Sequence, residues 1–356
     1  MDKKVNVGLI GYGMGGRMFH APILTSIEGL KLVKVRETKA PNIAHINSNY
    51  PDAEIVNDST SIFEDKNIEL VVITSPNNTH YSLAKEALLA GKHVVVDKPF
   101  TVSSAEADEL INLAQSRSLI LSVYHNRRFD SEYKTVKKVL DSNTLGRLIE
   151  YEAHFDRYRN FIKPDTWKEE PEPGTGLLYD LGSHLIDQAL SYFGLPDSVY
   201  ADIRIQREGG QITDNFELVL NFGSLKATLK AGMLVKEIGP RITLLGTEGA
   251  YQSYGMDVQE EDLKAGIFPN DKADWGVAPE SSWGILNTNL NGLNFKGKVE
   301  TERGDYREYY DNIYKTILGE ETLLVKAEEA RDTIKVIEMA MKSNEEKRVV
   351  ILGFGD

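Results

Sequence analysis

Apolar and polar positions divide the chain into two stretches with different rhythms. Up to about Ser122, short apolar runs alternate with longer segments of helical period. The runs are Val5 to Ile10, Leu30 to Val35, Leu70 to Thr74, His93 to Val96 and Leu119 to Val123. Most are continuous rather than alternating, which predicts parallel strands covered on both faces. Between them, the helical pattern of Tyr81 to Ala90 ends at Gly91, and that of Ser103 to Ser116 opens with Ser103 and Glu106 in capping-box spacing. Repeated strand-then-helix units predict an α/β fold with a doubly wound parallel sheet.

After a helix at roughly Ser131 to Leu140 the rhythm changes. Leu148 to Phe155, Ser198 to Gln206, Phe216 to Phe222, Leu225 to Met233 and Arg241 to Leu245 read as strands, some alternating, with turn signals at Asn221 to Gly223 and Gly246 to Gly249. Alternation implies a sheet with one open face. A helix at about Leu177 to Phe193 interrupts these strands, and two more follow at about Tyr306 to Leu318 and Ala327 to Asn344. The stretch from Asp257 to Lys298 has no clear period and stays unassigned. The expected division is residues 1–122 as the doubly wound domain and 123–356 as an α+β domain with an open-faced, mainly antiparallel sheet.

Composition narrows the function. With 356 residues, 41% apolar and 27% charged, the chain is globular in class, and no apolar run approaches the length of a membrane helix. It has no cysteine, which removes disulfides, thiolate nucleophiles and thiolate metal sites. The formal charge of −13 argues against a nucleic-acid partner. That charge is unevenly placed: 12 basic and 14 acidic side chains precede position 123, a net of −2, and 29 against 40 follow it, a net of −11. The polar Met1 to Lys4 leads straight into the first apolar run without an export-signal pattern, so a cytoplasmic location is expected.

Gly11-Tyr12-Gly13-Met14-Gly15-Gly16 satisfies G-x-G-x-x-G directly after the first strand and ahead of a helix. Glycines there allow a tight turn, backbone approach to a pyrophosphate and close helix-to-strand packing, with the phosphates on the helix N-terminus. The second strand ends Val35-Arg36-Glu37-Thr38-Lys39. Glu37 stands where a carboxylate would bind the ribose diol of NAD, whereas Arg36 and Lys39 suit the 2′-phosphate of NADP, so the cofactor expected is NAD(P) with its preference open.

Lys98, in Asp97-Lys98-Pro99, follows the strand His93 to Val96 at the carboxyl end, where open α/β sheets bind ligands. Further on, Asp180 and His184 lie four residues apart on one polar edge of a helix whose other side is Leu177, Leu181, Leu185 and Ile186. A histidine beside a carboxylate is suited to accept a proton. The same pair is open to a structural role or to metal ligation, although no third ligand stands at suitable spacing, and no metal is expected.

These residues resemble the Gfo/Idh/MocA oxidoreductases. Gly11-Tyr12-Gly13 with Phe19-His20-Ala21-Pro22, Ser75-Pro76-Asn77-Asn78-Thr79-His80, Asp97-Lys98-Pro99, Tyr124 to Asp130 and Tyr179 to His184 look like that family in order and spacing, over nearly the whole chain. The likeness is closest to its scyllo-inositol dehydrogenase-like branch. It implies a Rossmann domain, then an open-faced sheet domain, a nicotinamide cofactor, and hydride transfer at a sugar or cyclitol carbon. It implies His184 as acid/base, Lys98 as the group on the reacting oxygen and Asp180 as a positioning carboxylate. It places Gly11, Tyr12, Gly13, Met14, Gly16, Arg36, Glu37, Thr74, Ser75, Pro76, Asn77, His80, Asp97 and Lys98 around the cofactor. Tyr124, Asn126, Arg127, Arg157, Tyr158 and Arg159 are candidates for gripping substrate hydroxyls. The family's usual motif is Glu-Lys-Pro, so Asp97 departs from it by one methylene, and the bond before Pro99 is expected to be cis. His20, His80 and His154 show no partner at local spacing and read as structural, with His80 near the dinucleotide through the Ser75 to His80 loop.

The expected activity is an NAD(P)-dependent oxidoreductase of an inositol, sugar or related polyol, in a homodimer or homotetramer joined through the C-terminal sheet. A non-catalytic NAD(P)-binding sensor and an NAD-assisted glycosidase or dehydratase remain the alternatives.

Overall fold

Continuous apolar runs become the strands of a six-stranded sheet in the computed structural model, which describes residues 3–164 and 166–353. The strands are β1 (Val5–Ile10), β2 (Leu30–Arg36), β3 (Glu54–Val56), β4 (Leu70–Ile73), β5 (His93–Asp97) and β6 (Leu121–Tyr124), in the order β3-β2-β1-β4-β5-β6 and all parallel. That order reverses direction between β1 and β4, the switch point at which doubly wound sheets bind dinucleotides. Leu70 to Ile73 and Val94 to Val96 are almost wholly shielded, as strands covered by helices on both faces must be. The helix Ser104–Ser116 opens with the expected capping box, Ser103 Oγ accepting from the Glu106 amide and Glu106 accepting from the Ser103 amide, both at 3.3 Å. Residues 1–126, 259–275 and 305–331 make up this compact unit.

The second unit holds residues 127–258, 276–304 and 332–356. Its nine strands are β7 (Leu148–His154), β8 (Ser198–Arg204), β9 (Asn215–Phe222), β10 (Leu225–Gly232), β11 (Ile242–Gly246), β12 (Gly249–Ser253), β13 (Gly284–Leu290), β14 (Leu293–Val299) and β15 (Val350–Ile351). They run β14-β13-β12-β11-β7-β10-β9-β8-β15, and only β7 and β10 pair in parallel. The unassigned stretch after Asp257 is thus a helix, Val258–Lys264, and then the hairpin β13-β14.

Alternation gives this sheet two different faces. Tyr151, Ala153, Leu218, Leu220, Leu229 and Leu244 point inward, where the helix Ser183–Phe193 packs, Tyr151 against Phe193 at 5.2 Å between ring centres. The outward face is the open one, and it is rich in charge. It carries Glu152 paired with Lys230 at 3.3 Å and with His154 at 3.0 Å, Lys230 also near Glu217, and Lys226 on Glu150. Tyr200, Leu245, Ile285 and Ile351 are exposed apolar side chains among these charges. No helix among the described residues is long and apolar enough to cross a membrane.

Candidate active site

The glycine loop lies at the carboxyl end of β1, and each glycine answers a different steric demand. Gly11 has φ of +95°, and a methyl group there would lie 2.9 Å from the Thr74 carbonyl oxygen. A methyl at Gly16 would meet Gly11 O at 2.4 Å and Thr74 Oγ1 at 2.7 Å, so the helix can hug the strand only without a side chain. Gly13 has nothing within 4 Å and faces open space, as a backbone that a pyrophosphate approaches must. Met14 is exposed, whereas Tyr12 is buried with its hydroxyl on His45 Nδ1 at 2.9 Å. The helix behind the loop starts as a π-turn, Gly15–His20, and continues as Ala21–Leu24.

At the end of β2, Glu37 is only 6% exposed and turned back on its own chain. Its Oε1 accepts the amides of Thr38 at 2.7 Å and Lys39 at 2.8 Å, and its Oε2 accepts Asn42 Nδ2 at 2.6 Å. Burial alone would raise this carboxyl, but these hydrogen bonds hold it below the ordinary glutamate value. Arg36, its neighbour, is half-buried.

Beyond β4, Thr74 Oγ1 donates to Gly11 O at 2.7 Å, Ser75 Oγ meets Thr79 Oγ1 at 2.6 Å, and Pro76 and Asn77 lead into a short 3-10 turn. His80 joins this loop to the end of β5, with Nε2 at 2.9 Å from Ser75 O and Nδ1 at 2.8 Å from Pro99 O. Burial holds its proton affinity below that of an ordinary histidine, despite Asp97 and the two carbonyls. Lys98 is half-buried, and the Lys98–Pro99 bond is cis.

Asp97 lies at the meeting point of these loops. Its Oδ1 accepts the Lys98 amide at 2.8 Å and faces His20 Nε2 at 3.4 Å. A methyl at Gly15 would sit 2.8 Å from Oδ2, so the other oxygen abuts the glycine loop. Burial alone would raise this carboxyl, but His20, Lys98 and His80 together hold it below the usual aspartate value. His20 is fully buried, its Nδ1 at 2.6 Å from Tyr310 Oη and its ring 4.3 Å from that of Tyr124. Tyr124 is therefore a core side chain, packed also on Tyr309 and Tyr310. Asn126 is buried as well.

In the second unit, the chain beyond β7 is irregular but stays bonded to residues 230–235. The amides of Arg157 and Arg159 donate to Gly232 and Met233 carbonyls at 2.9 and 2.7 Å. Tyr158 and Arg159 are exposed, and Arg157 is half-buried. Three guanidinium groups surround the Phe155 ring, Arg241 at 4.3 Å, Arg157 at 5.1 Å and Arg127 at 5.5 Å from its centre. The same ring stacks on His184 at 6.2 Å and 27°. His184 is 5% exposed, one residue into the helix Ser183–Phe193, which is preceded by a second π-turn, Leu178–Gly182, carrying Asp180. The Asp180 carboxylate reaches Lys168 Nζ at 3.6 Å, and that ammonium also lies over Trp167. Asp187 is held by Arg128 through two hydrogen bonds of 2.9 and 2.7 Å.

Sequence reasoning missed Tyr310, whose partner His20 lies far along the chain, and Lys168, which lies in the loop before Asp180. It also missed the carboxylates on His154, which takes Asp156 at 2.8 Å and Glu152 at 3.0 Å. Their signal was present: positions two apart on a strand share a face.

Comparison with known proteins agrees with this arrangement. Residues 5–125 match the NAD-binding Rossmann fold of the Gfo/Idh/MocA oxidoreductase family, and residues 137–352 match that family's C-terminal alpha/beta domain. The scyllo-inositol 2-dehydrogenase (NADP(+)) IolW of Bacillus subtilis is 37% identical, over 98% of this chain and 96% of its own length. The uncharacterized oxidoreductase YdgJ of Escherichia coli is 38% identical over 99% of this chain and 100% of its own. The solved structure of the Bacillus subtilis protein yvaA superposes with a TM-score of 0.94 at 36% identity, covering 98% of this chain and 99% of the other. With both domains matched and full-length relatives above one-third identity, this chain belongs to the Gfo/Idh/MocA family of NAD(P)-binding oxidoreductases.

Proposed function

We propose that this chain is an NADP-dependent dehydrogenase or reductase acting on a CH–OH carbon of an inositol, sugar or related polyol. The observation that carries the reading is its full-length likeness to a scyllo-inositol 2-dehydrogenase. The nicotinamide cofactor supplies a hydride acceptor or donor when bound. Gly13 and the helix start behind it receive the pyrophosphate. Two observations favour NADP over NAD: the Glu37 carboxylate is already engaged by Thr38, Lys39 and Asn42, and the relative's name carries NADP(+). Arg36 then receives the 2′-phosphate.

His184 takes the hydroxyl proton as the same carbon gives up its hydride, and returns it in the reverse direction. Its burial against Phe155 keeps the ring oriented. Lys98 donates a hydrogen bond to the reacting oxygen and offsets the negative charge developing there. Asp180 orients His184 or a substrate hydroxyl, and Arg157 and Arg159 hold further hydroxyls. A second copy of the chain covers the outward sheet face around Tyr200, Leu245 and Ile285.

The test is fluorescence titration with NADPH and NADH, then a turnover screen over myo-inositol, scyllo-inositol and aldoses. NADPH is expected to bind more tightly and at least one polyol to be oxidised. His184→Ala should lose about 10² to 10⁴ in kcat while its affinity for NADPH stays unchanged. A protein that turns over no polyol or ketose with either cofactor overturns the reading.

A further inference from the structure

The polar chain behind Lys98 has a direction. An ionised carboxylate only accepts, so a neutral His20 ring turns its N–H, rather than its lone pair, toward Asp97. In a neutral ring Nδ1 is then an acceptor, and Tyr310 Oη, at 2.6 Å, must donate to it. Burial keeps the Tyr310 hydroxyl protonated far above neutral pH, so the donor is always available. The chain therefore runs Tyr310 O–H to His20 Nδ1, and His20 Nε2–H to Asp97, whose same oxygen accepts the Lys98 amide at 2.8 Å.

The π-turn is what makes this possible. Its hydrogen bonds span five residues rather than four, which brings Gly15 and His20 onto one side of the helix start. Both then face Asp97, Gly15 by leaving room for Oδ2 and His20 by approaching Oδ1. At 3.4 Å the His20 contact is longer than a full hydrogen bond, so it guides the carboxylate electrostatically, while Lys98 N–H fixes it. The His20 ring is itself immobilised between Tyr310 and the Tyr124 ring.

We propose that His20 and Tyr310 are positioning residues for Lys98, acting through Asp97. By fixing the tautomer and placement of the ring they keep the Asp97 carboxylate on the Lys98 amide, and so hold the start of the Lys98–Pro99 turn, and with it the Lys98 side chain, in place. This rests on the reading of Lys98 as the group that meets the reacting oxygen.

Two substitutions separate this role from mere packing. Gln at position 20 can place a donor near the Nε2 position, whereas Asn reaches only as far as Nδ1 and loses the donor toward Asp97. The readout is the rate at which Lys98 is modified by an amine-reactive reagent such as acetic anhydride, mapped by peptide mass spectrometry in the full-length protein without substrate. A turn no longer held by the carboxylate exposes the Lys98 amine more often, so Asp97→Asn and His20→Asn should label at Lys98 at least about threefold faster than wild type, and His20→Gln within about twofold of it. Equal rates in His20→Asn and His20→Gln overturn the proposal, as does a His20→Asn rate equal to wild type. Should His20→Asn fail to fold by circular dichroism, Tyr310→Phe replaces it, with faster labelling expected and a wild-type rate again overturning the proposal. Labelling needs no turnover, so a wild type inactive on every polyol defeats the proposed function and leaves this test standing. In an active enzyme, His20→Asn should lower kcat about tenfold with NADPH affinity unchanged.

Discussion

His80 and His154 respond to pH in opposite directions, because one is enclosed by carbonyls and the other by carboxylates. Burial disfavours the His80 imidazolium, so its contribution to stability is present above the unfolded value of about 6.5 and is lost as pH falls. For His154, burial also acts to lower the value, but the hydrogen bonds and charges of Asp156 and Glu152 outweigh it and the net shift is upward. A raised folded value means stabilisation that is complete below about pH 6.5 and lost as pH rises through the folded value. His154→Gln should therefore lower the urea midpoint more at pH 6 than at pH 8.5. An equal loss at both pH values refutes the assignment. At this scale the sequence was most legible where a residue's duty is set by its immediate neighbours, as with Gly11, Gly16, Ser103 and Glu106. It was least legible where partners are remote, and His20 and Tyr310 are separated by 290 positions.

Among the elements, the glycine loop allows packing and binding to be tested separately. Gly16→Ala forces a methyl against a backbone oxygen at 2.4 Å, which should destabilise the fold by about 1 to 3 kcal/mol in denaturant titration. Gly13→Ala meets nothing within 4 Å, so it should unfold like wild type yet bind NADPH at least about tenfold more weakly, because the methyl occupies the phosphate's approach. A Gly13→Ala variant with wild-type affinity would place the pyrophosphate elsewhere. Strands buried on both faces and amphipathic helices were readable from period alone. The hairpin β13-β14 was not, because β14 is exposed on nearly every residue and so has no burial to alternate. The π-turns were equally hidden, since an apolar pattern with period near 3.6 does not register one turn that spans an additional residue.

At the scale of the whole molecule, the chain passes between its two compact units at 126/127, 258/259, 275/276, 304/305 and 331/332. No local pattern announces these passages. Residues 259–275 and 305–331 carry ordinary helix and loop composition, and only their tertiary partners reveal where they belong. Tyr309 donates to Ser122 at 2.8 Å and Ser122 to the Val325 carbonyl at 2.7 Å, so the edge of the parallel sheet is completed by late sequence. Each unit is built from three separate stretches, so neither is a contiguous piece of the chain. The same threading sets an order of events during synthesis. The nucleotide-binding sheet is translated first, but its segment 305–331 follows residues 127–304. At about 5 to 20 residues per second, its first six strands wait roughly 10 to 40 s for Tyr309, Tyr310 and Val325 to be made. During that interval the nascent chain presents an unfinished apolar sheet edge, the kind of surface that chaperones bind.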